Sequence, residues 1–95
     1  MGGYVYIVTN RKNGVLYTGV TADIAQRVGQ HRDGTGSSFA AEHRAMRLVY
    51  VEVHEDIHAA IVREKRIKKW RREWKVALIE EMNPDWRDLW FDLNG

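Results

Sequence analysis

No cysteine occurs in this chain, which excludes a disulfide framework and any thiolate metal site. No apolar run approaches the roughly 20 residues that a membrane-spanning helix needs, so no transmembrane segment is expected. The N-terminus lacks a basic start followed by an apolar stretch, so no secretory signal is expected either, and the expected compartment is the cytoplasm. Proline occurs once, at Pro84, and no repeat, low-complexity segment or linker divides the chain. An excess of one charge sign is also missing, since 15 basic and 13 acidic residues give a net +2. What is left is an ordinary soluble composition, 44% apolar and 29% charged, over a length that suits one compact domain spanning residues 1–95.

The charge is unevenly placed. Residues 63–75 (REKRIKKWRREWK) hold eight basic and two acidic side chains, a local +6 that leaves −4 for the rest of the +2 total. A patch of that kind attracts a polyanion even when the whole protein is nearly neutral. The bland alternative is a solvated helix face. Within the run, Arg63, Lys65, Lys68, Lys69 and Arg72 are the candidate nucleic-acid contacts.

Residues 4–9 (YVYIVT) and 15–20 (VLYTGV) are rich in β-branched and aromatic residues and read as strands. Asn13-Gly14 between them is a favoured turn pair, so the three pieces form a β-hairpin. Thr21 offers an N-cap for a helix over 22–32, with Asp23 in its first turn and Ile24 and Val28 on one face. Residues 33–46 read as a loop or turn cluster, and 47–54 (RLVYVEVH) alternate as a third strand. Asp56 caps a helical pattern from Ile57 to Met82, with a plausible break at 71–74 and a stop at Asn83-Pro84. The tail packs down as a short turn or helix. There Trp86, Trp90 and Phe91 read as core more readily than as a partner surface. The expected fold is α+β, a small three-stranded antiparallel sheet flanked by helices, in the order β-β-α-β-α-α.

Several polar residues stand out against this pattern. On the long helix, Ala60, Ile61 and Ile67 fall on a stripe around Ile57, and Glu64 lands in its middle. A core-facing carboxylate is costly unless it is paired, hydrogen-bonded or metal-bound. An i,i+4 pair with Lys68, or a neighbouring arginine, is the bland reading. In the hairpin, pairing Thr9 with Gly14 would set Tyr6 opposite Tyr17, and a one-residue slip would separate them onto opposite faces. Such tyrosines usually pack, but their hydroxyls can donate, accept or lose a proton. Arg27 and His31 share a helix face four residues apart, joining a phosphate-matched guanidinium to a side chain suited to proton transfer.

Taken together, the pattern resembles the GIY-YIG family of nucleases. The two naming motifs stand as Tyr4-Val5-Tyr6 and Tyr17-Thr18-Gly19, with ten residues between them. Tyrosine replaces the usual glycine in the first, and threonine the usual isoleucine in the second. Arg27 follows Tyr17 by ten residues, as the family arginine does, and His31 stands one turn later. Glu64, within Arg63-Glu64-Lys65, matches the family's metal-binding glutamate, and Asn83 resembles its late asparagine. The segments Ile67-Lys68-Lys69-Trp70 and Asn83-Pro84 are similar to those of small single-domain members close to the nuclease domain of the repair subunit UvrC. The resemblance covers roughly residues 4–89.

The resemblance implies a metal-dependent endonuclease that hydrolyses phosphodiester bonds in DNA, single-stranded or branched DNA included. Glu64 would bind Mg²⁺ or Mn²⁺. Tyr17 or His31 would activate the water, and Arg27 and Tyr6 would contact the phosphate. Gly19 and Asn83 would form the site wall, with Asn83 also a candidate support for Glu64. A nucleic-acid-binding module without significant turnover alone is the alternative. Oligomeric state and pathway, DNA repair among others, stay open at this level.

Overall fold

The computed structural model describes residues 2–35 and 38–94. Its core is a three-stranded antiparallel sheet in the order β2-β1-β3, built from β1 (Gly3–Thr9), β2 (Leu16–Thr21) and β3 (Arg47–His54). Helices α1 (Ile24–Asp33) and α2 (Ser38–Glu42) come between β2 and β3, and α3 (Ile57–Lys68), α4 (Arg72–Met82) and α5 (Trp90–Asn94) follow. This is the expected α+β architecture. The short α2 forms within the segment read as a loop, and α5 within the tail.

The central strand is buried from Val5 to Thr9 because both of its faces are covered. Tyr6 and Val8 face Ile24, Val28, Leu48 and Leu89. On the other face Val5 packs with Ala60 and Ile67, and Ile7 with Val49, Ile79 and Trp86. Trp86 is core, as expected, whereas Phe91 is largely exposed. Arg32 ties α1 to the C-terminal segment through an ion pair with Asp88 at 2.6 Å.

Three local expectations need correction. The hairpin register pairs Tyr6 with Gly19 and Tyr17 with Val8, two residues away from the Tyr6–Tyr17 pairing expected. A shift of two keeps each side chain on its face, so both tyrosines still point the same way. The cause is a six-residue loop, 10–15. Asn10 Oδ1 accepts from Val15 N at 3.0 Å, Gly14 N donates to Arg11 O at 2.9 Å, and Asn13 takes a left-handed φ of 61°. Secondly, the N-cap of α1 is Asp23, whose carboxylate accepts from Gln26 N at 3.1 Å, and Thr21 instead accepts from Asp23 N. Thirdly, the long helical pattern breaks at 69–71, two residues earlier than the expected 71–74 and sharing with it only Arg71, whose backbone is extended. Asp56 caps α3 as expected, accepting from His58 N at 3.1 Å.

Between Ile7 and Val8 the β1–β3 ladder slips by one residue, and Val49 has no partner on β1. Its carbonyl accepts from Asn83 Nδ2 at 3.1 Å, so α4 is tied to the sheet at the bulge.

Candidate active site

The site begins with the helical spacing of α1. Ile24, Val28 and His31 recur four and three residues apart and form its buried stripe. Two are apolar and the third is an imidazole, 2% exposed, laid against the sheet face that carries Tyr6. The Tyr6 hydroxyl and His31 Nε2 are 2.9 Å apart. Tyr17 completes the group, its ring centroid 6.4 Å from that of Tyr6 and 5.3 Å from that of His31. Gly19 lies opposite Tyr6, where an added Cβ would collide with Tyr6 Cζ and its hydroxyl oxygen. The glycine of the second motif therefore makes room for the tyrosine of the first.

Burial decides the protonation of this pair. The Tyr6 hydroxyl is pushed up to about 12, first by burial and next by Tyr17, against the opposing pull of the Arg27 guanidinium. It keeps its proton at neutral pH. Burial, reinforced by Arg27, holds His31 below the usual histidine value, so its imidazole is neutral at pH 7. The Arg27 guanidinium, a donor only, approaches the Tyr6 oxygen, which favours Tyr6 as the donor and Nε2 as the acceptor. In that arrangement the imidazole proton falls on Nδ1, a buried atom without a hydrogen-bond partner. Tyr6 is 0% exposed, with its hydroxyl beside His31 and Arg27, and Arg27 itself lies on the half-buried face of α1.

Glu64 occupies the place on α3 that the helical period assigns it. Ala60 and Ile67 flank it in the apolar layer, and Glu64 itself is 7% exposed. Its carboxylate is close enough to Tyr6 to raise that hydroxyl further. Lys68 Nζ pairs with Glu64 Oε2 at 2.7 Å and stands 5.9 Å from the Tyr17 ring centroid. Tyr6, Tyr17, Arg27, His31 and Glu64 thus come together from β1, β2, α1 and α3.

The described residues contain no group of three or more His, Cys, Asp or Glu that could cage a metal. The arrangement fits a hard ion that keeps most of its own water, because Glu64 is a nearly buried carboxylate already calling for a cation. Asn83 stands apart. Its amide donates to Val49 O at 3.1 Å and Arg87 O at 2.9 Å, and its oxygen accepts from Arg87 N at 3.0 Å. These bonds support the chain after α4 and the β3 bulge, and none reaches Glu64.

The basic segment is divided by its partners. Arg63 donates to Glu52 Oε1 at 2.9 Å, and Arg72 to the hairpin carbonyls of Asn13 and Gly14 at 2.9 and 2.6 Å. Lys65 and Lys69 are exposed. Trp74 is 53% exposed, with the Arg71 guanidinium over its ring at 5.4 Å and Trp70 edge-on at 6.3 Å. One cluster is not evident from the sequence. Tyr50, His54 and Arg63 all bond the Glu52 carboxylate, which locks β3 to α3. The two-residue spacing of Tyr50, Glu52 and His54 is the signal that could have shown it.

An antiparallel sheet that presents this tyrosine–histidine–arginine–glutamate group defines a class. The chain belongs to the GIY-YIG family, whose catalytic-domain model matches residues 2–77. Within it, the chain is similar to the UPF0213 proteins. It is 40% identical over 78 residues to one from Staphylococcus saprophyticus and to one from Staphylococcus aureus, covering 82% of this chain and 94% of each relative. The solution NMR structure of a UPF0213 protein from Bacillus halodurans superposes with a TM-score of 0.58 at 28% identity, over 93% of both chains. GIY-YIG domains are nuclease domains that act on nucleic acid and generally depend on a divalent metal. No helix among the described residues is long and apolar enough to cross a membrane.

Proposed function

We propose that this protein is a metal-dependent endonuclease that hydrolyses phosphodiester bonds in DNA. The observation that carries the reading is the gathering of a phosphate-matched guanidinium, a proton-holding tyrosine–histidine pair, a half-buried tyrosine and a buried carboxylate in one place. Structural cores rarely assemble that set, because each member costs desolvation.

Glu64 would hold Mg²⁺ or Mn²⁺. When bound, such an ion supplies Lewis acidity and charge neutralisation for the anionic phosphodiester. Arg27 would clamp the scissile phosphate through its planar donors. Tyr6 would fix the direction of Arg27 and His31. Tyr17, half-buried, would orient the attacking water through its hydroxyl or, in its ionised form, take the water's proton as general base. His31, the alternative base, would have to part from Tyr6 to reach a water, because its Nε2 is engaged there and both side chains are buried. Lys65 and Lys69 would follow the backbone, with single-stranded or branched DNA the candidate substrates and DNA repair a candidate setting.

The test is cleavage of labelled single-stranded, duplex and flapped DNA with Mg²⁺ or Mn²⁺, against a chelator control and Glu64→Gln. The expected result is metal-dependent cutting that the variant loses by at least about a hundredfold. Equal cutting by Glu64→Gln would remove the metal role. Binding without products on every substrate would leave a DNA-binding module.

A further inference from the structure

We propose that Lys68 is a resident counter-cation for Glu64, which a divalent ion must displace, so that the chain itself opposes metal loading. The inference rests on the reading of Glu64 as the metal ligand. An ordinary i,i+4 pair on a helix surface joins two exposed groups. This pair is asymmetric: the side chains are 9% exposed for Glu64 and 50% for Lys68. The carboxylate is fixed, held between Ala60 and Ile67, both fully buried. The lysine can leave, because its long unbranched stem swings outward without moving the backbone.

A buried carboxylate is costly unless it is paired, hydrogen-bonded or metal-bound. Without metal, the Lys68 ammonium supplies the pairing at 2.7 Å. A divalent ion on the same carboxylate would face that ammonium at close range, and like charges so near repel strongly in a partly dry site. Lys68 must then move, and its surroundings determine where. Arg72 and Lys75 keep the neighbourhood positive: the Lys75 ammonium is held below its usual value first by burial, then by Arg72 and Lys68. The Lys68 ammonium stands 5.9 Å from the Tyr17 ring centroid, beside the group proposed to orient water. An incoming phosphate would offer it a new partner on that side.

The experiment is Mn²⁺ titration of the full chain by calorimetry, comparing the parent with Lys68→Met, Lys68→Gln, Lys68→Arg and Glu64→Gln. Both neutral variants should bind Mn²⁺ about tenfold more tightly than the parent, the loss of one opposing charge in a half-buried pair. Lys68→Arg should bind no more tightly. In chelator, Lys68→Met should melt below the parent, and Mn²⁺ should raise its Tm by more than it raises the parent's. Parent-like or weaker Mn²⁺ affinity in both neutral variants would overturn the displacement idea while leaving Glu64 as ligand. Equal Mn²⁺ binding by the parent and Glu64→Gln would overturn the ligand assignment, and the displacement idea with it.

Discussion

The Tyr6 hydroxyl, pushed up to about 12, and the depressed His31 imidazole make a neutral donor–acceptor pair sealed from solvent. Removing one member leaves the other buried and unsatisfied. Tyr6→Phe should therefore lower stability by about 1–3 kcal/mol, read from the urea midpoint, and reduce cleavage as His31 and Arg27 lose their common anchor. The same burial gives a pH signature. His31 is held neutral in the fold but protonates normally when unfolded, so below the ordinary histidine range the unfolded chain binds more protons. Its contribution is present above about 6.5 and is lost as pH falls toward the depressed folded value. Melting curves from pH 7.5 down to 5 should show a steeper acid loss of Tm for the parent than for His31→Gln. Parallel curves would mean that His31 is not held neutral by the fold.

At the scale of elements, β1 and β2 fit together because one strand carries a large ring and the other has no side chain opposite it. Gly19→Ala forces the fully buried Tyr6 ring to move, and no flexible side-chain end is available to absorb the clash. The expected cost is about 1–3 kcal/mol, with loss of cleavage out of proportion to the loss of fold. Equal and additive behaviour with Tyr6→Phe would argue against a shared contact. Asn83 joins α4, the β3 bulge and the turn before α5 through three hydrogen bonds. Asn83→Ala should lower the urea midpoint by an amount equal to about 1–3 kcal/mol, yet leave Mn²⁺ affinity at the parent value. A large fall in metal affinity in a folded Asn83→Ala protein would restore the expected link to Glu64.

Across the whole molecule, the +6 of residues 63–75 overstates the charge available to DNA. Arg63 is committed to Glu52, Lys68 to Glu64 and Arg72 to the hairpin loop, whereas Lys65 and Lys69 point outward. Each phosphate that is no longer neutralised by a lysine should reduce the slope of log affinity against log salt by about 0.7–0.9. Lys65→Gln with Lys69→Gln should therefore flatten the slope by nearly two such steps, as read from fluorescence anisotropy across a salt series. Arg72→Gln should act chiefly on Tm, through release of the hairpin loop.

The sequence by itself determined the three strands and the helical stretches of α1, α3 and α4, though not α2, and the face that their side chains occupy, because these follow from local periodicity. Alternation set β3 at 47–54, the Asp56 cap started α3, and the 100° step placed Glu64 on the buried stripe. Motif order pointed to Tyr6, Tyr17, Arg27, His31 and Glu64 as one group. Their mutual geometry depended on tertiary structure. The six-residue loop set the register, so that Gly19 and not Tyr17 lies across from Tyr6. Packing of α1 on the sheet sealed Tyr6 and His31 from water and brought the Tyr6 hydroxyl within 2.9 Å of Nε2. The paths of α3 and α4 engaged three of the five candidate basic residues within the protein, and seated Lys68 on Glu64 beside Tyr17. Those outcomes are set by desolvation and distance between segments far apart in the chain, and neither quantity exists until the segments pack.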